Sequence, residues 1–210
     1  MNNLGAILRT VDGFVVGLNT NPEYKEKGQD CIVLLENNKS MLMFYNDVKK
    51  GLAIIEEIKK DFSVNDNIFT IMNKIYTDPR VQEDDSNVAV LGCGFVSNQA
   101  QTLGFSSGNP LRPFLPTVTL EKDSIYDFYK ELLYNTPSSA EAALTFLGVW
   151  FSKAMSMNGS GAYSPIFGVL NFSRGKVLDA NECENILSLG QEFHNTVKME
   201  SAKLFLEVNA

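Results

Sequence analysis

Gly104-Phe105-Ser106-Ser107-Gly108 has the G-x-S-x-G spacing of the α/β-hydrolase nucleophile elbow. There, a serine on a tight strand-to-helix turn attacks an acyl carbon and a downstream histidine takes its proton. The chain's single histidine, His194, lies downstream, with acidic residues between. An elbow must lead into a helix, however, and here Asn109-Pro110-Leu111-Arg112-Pro113 follows. A Gly/Ser-rich loop is the better reading. Val88-Ala89-Val90-Leu91-Gly92-Cys93-Gly94 supplies a strand and the first two glycines of a dinucleotide fingerprint. Ser97 stands where the third glycine is needed, and Gly104 would cut the required helix short. Small residues packed closely on a neighbouring helix account for this pair better. Cys31, Cys93 and Cys183 are odd in number, widely spaced and form no CxxC pair, which argues against a disulfide framework or a zinc site. Cys31 and Cys93 sit in apolar strands and read as inert core residues, and His194 reads as a helix-surface or half-buried histidine. The sequons Asn38-Lys39-Ser40 and Asn171-Phe172-Ser173 carry meaning only in a secreted protein. No catalytic, cofactor-binding or metal-ligating residue is assigned on these grounds, and no cofactor is expected.

The elements that would position any chemistry start with two hairpins. Leu4 to Val11 and Phe14 to Thr20 are strand-like around Asp12-Gly13, whose preference for positive φ predicts a type I′ turn. Cys31 to Glu36 and Ser40 to Tyr45 flank Asn37-Asn38-Lys39. Their apolar runs, Ile32 to Leu35 and Met41 to Phe44, do not alternate, which predicts a sheet covered on both faces. Asn46 or Asp47 can cap a helix that carries Val48, Leu52, Ile55 and Phe62 at helical spacing. A second helix spans Asn67 to Tyr76 and ends before Asp78-Pro79. Asn87 to Val96, Thr102 to Phe105 and Thr117 to Leu120 read as strands. Ser106 to Pro116 carries three prolines and reads as a loop or irregular edge. Ser124 opens one helix. Ser138, with Glu141 three residues on, opens another through a capping box. That second helix, to about Met157, is apolar nearly all round, so Phe146, Leu147, Trp150 and Phe151 should be buried. Asn158-Gly159-Ser160-Gly161 ends it. Ile166 to Phe172 and Lys176 to Leu178 form a last hairpin, and a helix from about Asn181 places Ile186, Phe193, Val197 and Leu204 on one stripe.

Helix pairs inserted between antiparallel strand sets predict an α+β fold in which two stacked, mainly antiparallel sheets lie between helix pairs, an α/β/β/α sandwich. This order resembles the N-terminal-nucleophile (Ntn) hydrolase fold of proteasome β subunits and their bacterial two-component protease relatives. The resemblance reaches to about Leu178. It rests on the opening hairpin from Leu4 to Val16, the helix from Ser138 to Met157, Gly159-Ser160-Gly161, and the hairpin from Ile166 to Leu178. What it implies about activity is not met by the residues present. In that family an N-terminal threonine attacks the amide, its own α-amine serves as base, and an aspartate and a lysine tune it. Matched on Asp12-Gly13, the nucleophile position falls near Asn3, the acidic position on Asn19 and the lysine position near Cys31. The family's small-residue oxyanion site reads Tyr45-Asn46-Asp47, and no Thr, Ser or Cys lies between Met1 and Ile7. Lys25 or Lys27 could stand in for the lysine, to no purpose without a nucleophile. The resemblance therefore implies a pseudoenzyme, a non-catalytic proteasome-like protein acting through assembly or partner binding, and relatives that work as rings imply a homo-oligomer. The alternative is an amide hydrolase with an unrecognised nucleophile.

Composition bounds the remaining classes. The 210 residues are 44% hydrophobic and 10% aromatic, enough for one sizeable core, and no linker-like run divides 1–210, so a single domain is expected. The formal net charge is −7 and no Lys/Arg cluster exceeds a short helical face, which argues against a nucleic-acid partner. The longest apolar runs, such as Phe146 to Phe151, fall far below the ~18 residues of a membrane span. The first residues show no basic segment before an apolar one, so a cytoplasmic protein is expected. The stripes on the Val48 helix and on the last helix, with Met155, Met157 and Met199, are candidate contact surfaces between copies.

Overall fold

The computed structural model describes residues 5–20, 31–35, 39–83, 86–106, 108–114, 118–119, 138–158 and 164–208. Among these residues the chain is α+β, with two five-stranded antiparallel sheets and four α-helices. The strands are β1 (Gly5–Arg9), β2 (Gly13–Thr20), β3 (Ile32–Leu34), β4 (Ser40–Phe44), β5 (Val90–Val96), β6 (Gln99–Ser106), β7 (Asn109–Phe114), β8 (Val118–Thr119), β9 (Ser164–Asn171) and β10 (Gly175–Val177). The helices are α1 (Val48–Ile58), continued by a 3₁₀ turn over Lys59–Asp61, then α2 (Ile68–Tyr76), α3 (Ala140–Asn158) and α4 (Ala180–Val208). One sheet has the order β10-β9-β2-β1-β8 and the other β3-β4-β5-β6-β7. The helix expected at Ser124 and the Asn37-Asn38 and Gly159-Ser160-Gly161 turns lie outside the described residues.

Side-chain alternation along the strands sets the layers. On the first sheet Ala6, Leu8, Val15 and Phe167 join Ala143, Phe146, Leu147, Trp150 and Phe151 of α3 and Cys183 and Ile186 of α4 in one core. Their strand neighbours Ile7, Phe14, Val16 and Leu18 belong to a second core with the other sheet. Phe14 of β2 meets Phe95 of β5 with ring centroids 5.8 Å apart, so the sheets pack face to face. The far face of the second sheet receives α1 and α2. This stacking is compatible with the expected sandwich, and it places β1–β2 inside its sheet. Both faces of β4 are covered, which is why Met41, Leu42, Met43 and Phe44 are all buried without alternating. Phe146, Leu147, Trp150 and Phe151 are buried as expected.

Local chemistry fixes most boundaries. The Asp47 carboxylate accepts from the Lys50 N–H at 3.0 Å and caps α1, and the Asn67 side chain accepts from the Thr70 N–H at 3.1 Å and caps α2. For α3 the expected cap is one residue off. Ser139 accepts from the Ala142 N–H at 3.2 Å, because the Ser138 backbone is taken by a bridge to the first hairpin, its carbonyl accepting from the Val11 N–H at 3.1 Å. At α4 a capping box joins Asp179 and Glu182, each accepting from the other's N–H, at 2.9 and 3.0 Å. Within the Pro-rich stretch after Ser106, Asn109–Phe114 form the edge strand β7, with a register shift between Gly104 and Ser106.

The Asp12-Gly13 turn is not type I′, since neither residue has positive φ. Arg9 pairs with Phe14, the Thr10 N–H donates to the Gly13 carbonyl at 2.9 Å, and Val11-Asp12 make the bend between them. Gly13 is needed for a different reason: a Cβ there would stand 1.9 Å from the Leu170 carbonyl oxygen on β9. The two-residue primed turn lies instead at Ser97-Asn98, φ 49° and 62°, joining β5 to β6.

Thr102 on β6 is 1% exposed, and its hydroxyl has no hydrogen-bond partner. It lies directly across from Cys93, inside the sheet. An orphaned hydroxyl costs its desolvation with no return, so Thr102→Val should raise stability by about 1 kcal/mol. Urea denaturation checks this, and a destabilised variant would mean that the hydroxyl is satisfied.

Candidate functional site

Asn3, Lys25 and Lys27 lie outside the described residues. Asn19 sits near the end of β2 opposite Pro165 of β9, and its side-chain oxygen is buried without a hydrogen-bond partner. An amide there cannot supply the negative charge that would hold a lysine or tune an amine. Cys31 is buried at the entry to β3, and its carbonyl accepts from the Phe44 N–H at 2.9 Å. Tyr45-Asn46-Asp47 is spent on structure. Asp47 caps α1, its N–H donates to the Asn87 carbonyl at 3.1 Å, and the Tyr45 N–H donates to the Ala89 carbonyl at 3.2 Å. Burial pushes the Tyr45 phenol above its ordinary range, with the charge of Arg112 pulling the other way, so Tyr45 is no candidate base near neutral pH.

The two other motifs come apart in the fold. Ser106 closes β6 and turns into β7, not into a helix, and its Oγ accepts from the Asn109 side-chain amide at 3.0 Å. His194 is half-buried on α4, in the helix layer of the other sheet. Serine and histidine therefore belong to different layers. Of the fingerprint glycines, Gly92 would place a Cβ 2.8 Å from Met72 Sδ and 2.9 Å from Ile68 Cδ1. Gly94 would place one 2.9 Å from Ile68 Cβ. These glycines let α2 lie on β5, and a hairpin follows them where a phosphate-binding helix would have to start. All three cysteines are buried, and burial pushes the Cys93 thiol far above its usual range, which keeps it from forming a nucleophilic thiolate. Among the described residues no three His, Cys, Asp or Glu side chains cluster as a metal site would require, and no helix is long and apolar enough to cross a membrane.

The feature that stands out is an apolar surface on α4. The Asp179–Glu182 box starts this helix, and Cys183 and Ile186 bury its first turns against α3 and the sheet. At Gly190 it crosses α3 backbone to backbone: a Cβ there would be 2.2 Å from the Gly148 carbonyl carbon. Past this crossing the expected stripe does not stay covered at Phe193 and Val197, and Leu189, just before it, is exposed as well. Leu189 is 55% exposed, Phe193 47%, Val197 43% and Met199 60%. Leu189, Phe193 and Val197 recur at i, i+4 and i+8, so they share one side of the helix. The side chains of Met155, Met157 and Leu204 lie outside the described residues. The corresponding stripe on α1 is turned inward: Val48 and Ile55 are buried in the chain's own core, and Leu52 and Phe62 pack half-buried against it. The arrangement can bind an apolar partner surface.

The architecture that positions this surface defines a two-sheet α+β protein with helices packed on it. In comparisons with known proteins, no family model matches the chain and no curated protein matches it.

Proposed function

We propose that this chain is a non-catalytic, proteasome-like protein of the Ntn fold that acts through assembly, with further copies of itself as its partners in the cytoplasm. The observation that carries this reading is the exposed stripe Leu189-Phe193-Val197 on α4. Scattered exposed apolar residues are ordinary, but a contiguous row on one helix face marks a contact surface. Support for the fold half comes from the interior β1–β2 hairpin, the face-to-face sheets and the helices on their outer faces. Support for the non-catalytic half comes from Asn19 and Cys31, since a match on Asp12-Gly13 sets the family's acidic position on Asn19 and its lysine position near Cys31.

Intact mass and turnover test the non-catalytic half. With no Thr, Ser or Cys between Met1 and Ile7, the purified chain should keep its full mass or lose Met1 alone. It should also leave a panel of fluorogenic peptide amides uncleaved. A mass that reveals a new N-terminal Thr, Ser or Cys, together with peptide turnover, would establish the hydrolase reading instead.

A further inference from the structure

We draw no further inference here: the strongest candidate, the apolar groove of about 460 Å³ that Val33, Leu35, Ile55, Phe62 and Ile71 line between β3 and α1, carries nothing because nothing in the structure shows what covers it.

Discussion

Trp150→Ala should lower the stability of this protein by about 3–5 kcal/mol. Trp150 is fully buried, and α3 is enclosed by the first sheet on one side and α4 on another. Its ring lies 5.4 Å from Phe151, whose ring meets Phe167 of β9 edge-on, also at 5.4 Å. Truncation therefore removes a large apolar side chain from between groups that are themselves wedged in place. The surroundings cannot close the gap without moving a helix off a sheet, so the cavity adds to the lost transfer free energy. Urea denaturation followed by circular dichroism measures the loss, since Trp150 is the only tryptophan and its removal also removes the fluorescence signal. A loss below about 1 kcal/mol would show that α3 does not occupy the core.

Gly190→Ala should be destabilising by about 2 kcal/mol or more, against the trend for exchanging glycine for alanine inside a helix. On helix propensity alone the exchange would gain about 1 kcal/mol. The crossing reverses that sign. The new Cβ would stand 2.2 Å from the Gly148 carbonyl carbon and 2.3 Å from the Val149 nitrogen. These are backbone atoms, so no rotamer change relieves the clash and α3 and α4 must separate. The same crossing is closed from the other side, where a Cβ on Gly148 would meet the Ile186 carbonyl oxygen at 2.3 Å. The Ser152 hydroxyl donates to the Leu187 carbonyl at 3.0 Å and fixes the register one turn away. Thermal unfolding of the variant gives the answer, and a raised melting temperature would mean that the helices are not in backbone contact.

Much of this architecture was legible because local signals and burial agree. The unbroken apolar run Met41 to Phe44 announces a strand covered on both faces, and Asn46-Asp47 and Asn67 mark helix starts, where the Asp47 carboxylate and the Asn67 amide make the caps. What was not legible depends on contacts from far along the chain. Asp12-Gly13 looks like a primed turn, but β9 decides the use of that glycine by bringing the Leu170 carbonyl against it. Ser97-Asn98 does form a turn with positive φ at both residues, without the glycine that usually marks one. Ser138 yields the α3 cap to Ser139 because the first hairpin recruits its backbone. Along α4 a single periodicity runs through Ile186, Phe193 and Val197, and period alone cannot say where a neighbouring helix stops covering it. The candidate surface was therefore visible as a stripe, while its exposed portion required the packing of α3. Leu189 entered that surface only through its exposure.

Multi-angle light scattering of the purified chain, beside Phe193→Glu, tests the assembly claim most directly. Phe193 lies about half in solvent, so a glutamate there should leave the fold intact, which an unchanged circular dichroism spectrum and melting temperature would verify. It would also set a charge in the middle of any apolar contact made through α4, where it would be buried without a partner. Assembly through α4 predicts a mass of two or more chains for the natural sequence at micromolar concentration, falling to about the 23.3 kDa of one chain in the folded variant. A natural chain that stays at the mass of a single copy up to high micromolar concentration would contradict it.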